Sequence, residues 1–89
     1  MTAPVLPLIG KPGCHLCDDA RDVVTTVLTE LAATASGPAV VFEEKSILDD
    51  AALHERFVEE IPVVLINGAV HNYWRIDPVR LKTAILEAQ

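Results

Sequence analysis

Cys14 and Cys17 are the only two cysteines in a chain of 89 residues, and three positions separate them. At that spacing on a helix the two side chains lie on one side, one turn apart, where a disulfide can be exchanged within the pair. Gly10-Lys11-Pro12-Gly13 leads into the pair and a helical pattern of apolar residues leads away from it. The chemistry this suggests is thiol-disulfide exchange, whose nucleophile is a thiolate. An ordinary cysteine is only a few per cent ionised at neutral pH, so the attacking sulfur needs help. A helix N-terminus supplies ~0.3 to 1 kcal/mol in favour of negative charge. Lys11 and His15 stand close enough in sequence to add to it, while Asp18, Asp19 and Asp22 in the first turns oppose it. The balance predicts a mildly activated thiolate at Cys14, suited to a reductant more than to a strong oxidant. Cys17, one turn further in, is expected to be the more buried thiol with the higher pKa, and to resolve the mixed disulfide that Cys14 forms.

Simpler accounts of the pair exist. Two small apolar side chains at helical spacing could merely fill a core. A zinc site needs four ligands, and two cysteines with His15 between them fall short, so a metal or a shared iron-sulfur cluster requires a dimer or an added thiol. The expected metal set within one chain is therefore none. His15 is expected to face solvent and modulate the thiolate, and His54 and His71 to be surface positions. Lys11 is either a solvated turn residue or a group that stabilises a thiolate or a substrate carboxylate. Trp74, the single tryptophan, is expected to pack the end of a hairpin against the last helix. Tyr73 and Arg75 would alternate to the opposite face of the strand.

The elements that must hold the pair can be read from periodicity. Val5-Leu6-Pro7-Leu8-Ile9, closed by Gly10, predicts a buried strand in which Pro7 marks a bulge or an unpaired side. Leu16, Ala20, Val23, Val24, Val27, Leu28, Leu31 and Ala35 recur as an amphipathic helix, stopped by Ser36-Gly37-Pro38. Ala39 to Glu43 reads as a second strand, joined to the first by a right-handed parallel crossover. Asp49 and Asp50 can cap a shorter helix that buries Leu53 and Phe57. A third strand, Ile61 to Ile66, ends at Asn67-Gly68, the dipeptide suited to a tight hairpin, and Ala69 to Trp74 runs back antiparallel. Asp77-Pro78 opens a last helix with Leu81, Ile85 and Ala88 on its buried stripe. The order is β-α-β-α-β-β-α, within a single domain spanning 1–89.

Composition narrows the class of partner. The formal net charge is -6 with no cluster of Lys and Arg, which excludes nucleic acid as an expected partner. Hydrophobic residues make up 51% and aromatics 4%, so aliphatic side chains must supply the packing. Met1-Thr2-Ala3-Pro4 has neither a positive region nor a long apolar run, so no signal peptide or membrane span is expected and the location is expected to be cytoplasmic. There, thiols are normally kept reduced, which favours a working dithiol over a structural staple.

With this order and the pair at the first strand-to-helix turn, the chain resembles the small glutaredoxin-like proteins of the thioredoxin fold. The residues that carry the likeness are Lys-Pro-Gly-Cys-His-Leu-Cys-Asp at 11–18, Leu53 with Phe57, Ile61-Pro62-Val63, Asn67-Gly68, and Trp74-Arg75-Ile76-Asp77. The resemblance implies an α/β architecture with a four-stranded mixed sheet and three flanking helices. It further implies that Cys14 is exposed at the end of the first strand, that Pro62 is cis and faces it, and that the backbone of Ile61 pairs with an extended substrate. Catalytic roles would fall to Cys14 and Cys17, and substrate binding to Lys11, His15, Ile61 and Pro62. Two departures stand out. His15 and Leu16 occupy positions where many glutaredoxins have Pro and an aromatic residue. Trp74-Arg75-Ile76-Asp77 stands where glutathione-binding members have Gly-Gly and then Asp. The expected activity is reduction of protein disulfides or mixed disulfides by a monomer without a tightly bound cofactor. Its electron donor would be a reductase, glutathione or another low-molecular-weight thiol. A non-catalytic binding module and a dimeric metal or iron-sulfur carrier are the alternatives.

Overall fold

The computed structural model describes residues 3–34 and 39–88. Its elements are β1 (Val5–Gly10), α1 (His15–Ala32), β2 (Val41–Ser46), α2 (Ala51–Phe57), β3 (Val63–Ile66), β4 (Ala69–Tyr73) and α3 (Pro78–Glu87). The strands form one sheet in the order β2-β1-β3-β4. β1 runs parallel to β2 and antiparallel to β3, and β3 runs antiparallel to β4, so the sheet is mixed as expected.

Alternation along the central strands distributes the apolar residues to both faces. Leu6 and Leu8 of β1 and Val64 of β3 join Ala20, Val24, Val27 and Leu31 of α1 and Leu81 and Ile85 of α3 in one buried cluster. Ile9, Val63 and Leu65 point the other way and pack with Ile47 and Phe57 beneath α2, with Leu53 half-buried beside them. A strand covered on both faces reads as a continuous apolar run, which is how β1 and β3 look in the sequence. The edge strand β2 need not, and it carries Glu43, Glu44 and Lys45, charges that protect an exposed edge from pairing with other chains.

Several boundaries differ from the sequence expectation. β2 covers Val41–Ser46 instead of Ala39 to Glu43, because its register against β1 continues through Gly10↔Ser46 whatever the polarity of its side chains. β3 starts at Val63, after the cis bond between Ile61 and Pro62. β4 stops at Tyr73, because Trp74 takes φ +64 and leaves the extended conformation. The antiparallel β1–β3 register contains Leu8↔Val64 and Ile9↔Val63 and does not extend to Pro7, which has no N–H to contribute. α1 ends at Ala32 with Ala33 as its C-cap, one turn short of the expected Ala35; Ala35 itself and Ser36-Gly37-Pro38 lie outside the described residues, as do Met1, Thr2 and Gln89.

Turns and caps fix the connections. Asn67 and Gly68 take φ of +50 and +87, the left-handed pair that a two-residue hairpin requires. Asn67 also accepts the N–H of Val5 through Oδ1 (2.9 Å) and donates its own N–H to the Val5 carbonyl (2.8 Å), which ties the hairpin to the start of β1. Asp50 caps α2 by accepting from the N–H groups of Ala52 and Leu53. Asp77 caps α3 in the same way, accepting from Val79 (2.9 Å) and Arg80 (3.1 Å), with Pro78 in the first turn. Ala88, expected on the buried stripe, is the C-cap and only half-buried. Among the described residues no helix is long and apolar enough to cross a membrane.

Replacing Asp77 with Ala strands two helix N–H groups, and urea denaturation is expected to show a loss of about 1 kcal/mol. Asp77→Ser should recover most of it.

Candidate functional site

The turn Lys11-Pro12-Gly13 brings the chain from β1 to α1, with Gly13 at φ +74, a value a side-chain-bearing residue adopts only with strain. Cys14 follows in an extended conformation, φ -101 and ψ 115, as the N-cap of α1. Its Sγ accepts the backbone N–H of Cys17 at 3.2 Å, so a sulfur fills the place that an Asp, Ser or Thr oxygen takes at an ordinary cap. The carbonyl of Cys14 accepts from Asp18 N–H (3.0 Å) and starts the helical ladder. Capping turns the sulfur back over the helix end, which leaves Cys14 half-buried and less open than the resemblance implied.

Cys17 is only 2% exposed, and both thiols are free. Its burial depends on Gly10: a Cβ there would lie 3.0 Å from Cys17 Sγ and 3.2 Å from Cys17 Cβ. Burial, chiefly, pushes the Cys17 thiol up to about 11, helped by the hydrogen bond with Cys14 and the nearby charges of Cys14 and Asp18, while a backbone hydrogen bond from Lys11 works against it. This is the higher pKa expected for the second cysteine.

The remaining candidates divide into two groups. Lys11 is exposed and shares a cavity of about 300 Å³ with Cys17, Arg21, Glu44 and Asp49, between the β1–α1 turn and the end of β2. Arg21 did not figure in the sequence reading, yet it pairs with Asp18 (3.1 Å) and with Glu44. It thereby offsets one of the three acids set against the thiolate. The signal was available in the i, i+3 spacing of Asp18 and Arg21 on one helix face. His15 is exposed in the first turn, as is His54 in α2.

On the other side, Pro62 is buried and cis, and Ile61 beside it is half-buried. The N–H of Ile61 donates to the Phe57 carbonyl (3.1 Å). That bond takes up the Ile61 donor, so of the main-chain pairing the resemblance implied at this residue only the carbonyl acceptor is left to a substrate. The Pro62 carbonyl accepts the N–H of Trp74 at 2.8 Å. Trp74 does not pack the hairpin against the last helix: it is 52% exposed, its Nε1–H donates to the Glu59 carbonyl (3.1 Å), and its ring stands edge-on to Tyr73 with centroids 5.0 Å apart. The left-handed turn at Trp74 also ends the strand alternation on which the expected faces of Tyr73 and Arg75 rested.

Trp74 and Arg75 border a groove whose opposite wall carries Leu16, the residue just before Cys17, so the Pro62 side and the dithiol helix meet there. His71, expected on the surface, is half-buried, with Nε2 unpartnered; burial, with Arg80 nearby, lowers its pKa. Among the described residues no three His, Cys, Asp or Glu side chains gather as a metal set.

A four-stranded mixed sheet with a two-cysteine turn leading from its first strand into its first helix defines a thioredoxin-fold protein. Solved structures agree, for the first thioredoxin domain of mouse protein disulfide-isomerase A4 matches with a TM-score of 0.68 at 16% identity, over 99% of this chain and 65% of that one. A structural-genomics target, protein XcR50 from X. campestris, matches with a TM-score of 0.62 at 32% identity, over 94% of this chain and 97% of that one. The family model described as "Glutaredoxin-like domain (DUF836)" covers residues 5–86, and the chain belongs to that family. A relative named "Uncharacterized protein Rv0508", from Mycobacterium tuberculosis, is 26% identical over 85 residues, which is 96% of this chain and 86% of that protein.

The contact at Gly10 makes a direct test of how Cys17 is held. Gly10→Ala is expected to cost about 1 to 3 kcal/mol in urea denaturation. In a Cys14→Ser background it should also speed alkylation of Cys17.

A thiol whose folded pKa exceeds its ordinary value stabilises the fold fully below that ordinary value, here 9.0, and loses the contribution as pH rises through about 11. The stability advantage of the wild type over Cys17→Ala should therefore shrink across that window, as followed by denaturation at a series of pH values.

Proposed function

We propose that the protein is a thiol-disulfide oxidoreductase that reduces disulfides through Cys14 and Cys17. The observation that supports this most is the asymmetry of the pair. Cys14 Sγ, half-buried, receives a backbone N–H at the positive end of a helix, while Cys17 is buried and holds its proton to about 11.

The Cys14 thiolate attacks one sulfur of a substrate disulfide; the new S–S bond forms as the old one breaks, and the first substrate thiolate leaves. Cys17 then loses its proton to the departing group or to solvent and attacks Cys14 Sγ. The second substrate thiolate leaves, two electrons have passed to the substrate, and the protein holds a Cys14–Cys17 disulfide. The high pKa of Cys17 keeps it from competing as the first nucleophile and makes it a strong one once deprotonated inside the mixed disulfide. A low-molecular-weight thiol or a reductase returns the electrons. Lys11, exposed beside the turn, is suited to a carboxylate on such a thiol, and His15 to modulating the sulfur from the solvent side. Disulfide-containing proteins and small mixed disulfides are the substrates this reading assigns, and a cytoplasmic monomer is the form in which it acts.

Cys14→Ser should abolish reduction of a model disulfide, to below about 1% of wild type by released thiol. Cys17→Ser should instead accumulate a mixed disulfide visible by mass. Full activity in Cys14→Ser sinks the reading, and iron or zinc bound stoichiometrically to the purified protein would favour a metal carrier in its place.

A further inference from the structure

Trp74 has a conformation and a position that packing does not explain. A bulky side chain at φ +64 is uncommon, and such strain persists only where the surroundings impose it. Here two hydrogen bonds do so, from the Trp74 N–H to the Pro62 carbonyl and from the indole to the Glu59 carbonyl. The outcome is a fixed ring that is half exposed instead of buried. It forms one wall of a groove of about 140 Å³; Leu16, exposed at 36%, forms the other, over Ala20, Val23 and Ile76. That volume is well below the ~300 Å³ at which sites for whole small ligands begin, and suits one large side chain.

One acid and one base line the groove, and further acids stand nearby in the chain. Asp19 lines it, Asp22 lies one turn further along α1, and Glu59 and Glu60 follow from the segment that the indole holds. None of these four acids is in an ion pair among the described residues, and Arg75 is the basic residue set against them at the groove. With the Ile61 N–H engaged by Phe57, main-chain pairing at that donor is closed to a substrate.

We propose that the groove between Leu16 and Trp74 is a specificity subsite, which receives a large apolar side chain next to the cysteine of a basic, disulfide-bonded peptide segment. The proposal rests on the dithiol chemistry described above. Leu16 is the residue immediately before Cys17, so a peptide whose cysteine meets the dithiol has its neighbouring side chain within reach of the groove. The ring of Trp74 supplies an apolar face, and the unpaired carboxylates of Asp19 and, one turn on, Asp22 attract the flanking cations.

Three symmetric peptide disulfides test this. The first has Phe before the cysteine and Lys on either side, the second has Ser for Phe, and the third has Glu for both lysines. With the reduced protein as the only electron source, the second-order rate constant is expected to be at least about tenfold higher for the first than for the second. It should fall for the third as well, in a salt-dependent way. Trp74→Gly, which accepts φ +64 freely, and Leu16→Ala on the opposite wall should each bring the Phe-to-Ser ratio close to one. A wild-type ratio within twofold, or a ratio unchanged in both variants, overturns the proposal.

Failure of the redox reading looks different, with none of the disulfides reduced. The groove is then judged by binding, using the same peptides with Ser in place of cysteine. Emission of Trp74, the single tryptophan, should shift to the blue with the Phe peptide and not with its Ser counterpart. No shift with the Phe peptide overturns the proposal.

Discussion

Where β1 ends, α1 comes so close to the sheet that position 10 has no room for a side chain. Cys17 lies against Gly10 with its sulfur out of water, and the N-terminal turn of α1 is therefore pressed onto the end of a buried central strand. Much else follows from that contact. It raises the pKa of one thiol through desolvation, and it sets the helix N-terminus at the sheet's end. The Cys17 N–H, held there, points at the sulfur of the residue three positions earlier. A single missing methyl group thus gives two chemically identical side chains different electrostatic surroundings.

The rest of the fold keeps that helix in place from both directions. α1 shares its buried stripe with α3 and one face of the sheet, while α2 covers the other face. The exposed contacts near the dithiol are electrostatic, with Arg21 bridging Asp18 on its own helix and Glu44 on the edge strand. Exposed pairs of this kind add little to stability, so their effect is local, a cation held between two acids beside the first turn of α1.

The elements that positioned the dithiol were legible because each has a local cause. The stripe of Ala20, Val24, Val27 and Leu31, the Asp50 and Asp77 caps and the Asn67-Gly68 turn all appear where residue type and spacing place them. The cis bond at Pro62 came from family likeness, since nothing in the dipeptide Ile61-Pro62 distinguishes it from the far commoner trans form. What stayed hidden depends on partners distant in sequence. The polar end of β2 is a strand only because β1 lies beside it. Trp74 was misplaced because its conformation is dictated by the Pro62 and Glu59 carbonyls, and periodicity carries no information about either. Likewise the engaged N–H of Ile61 is a matter of where the chain from Phe57 turns.

That last bond bears on how broad a clientele such a surface can serve. Main-chain pairing is indifferent to sequence, since every residue except proline brings the same donor and acceptor, and a protein that offers an open strand edge accepts almost any extended chain. Here the Ile61 donor is committed to the Phe57 carbonyl within the protein itself. One of the general handles is gone, and shape and charge, which differ from one partner to the next, weigh correspondingly more. In this chain a loop hydrogen bond thus removes one contact that would not depend on a partner's sequence.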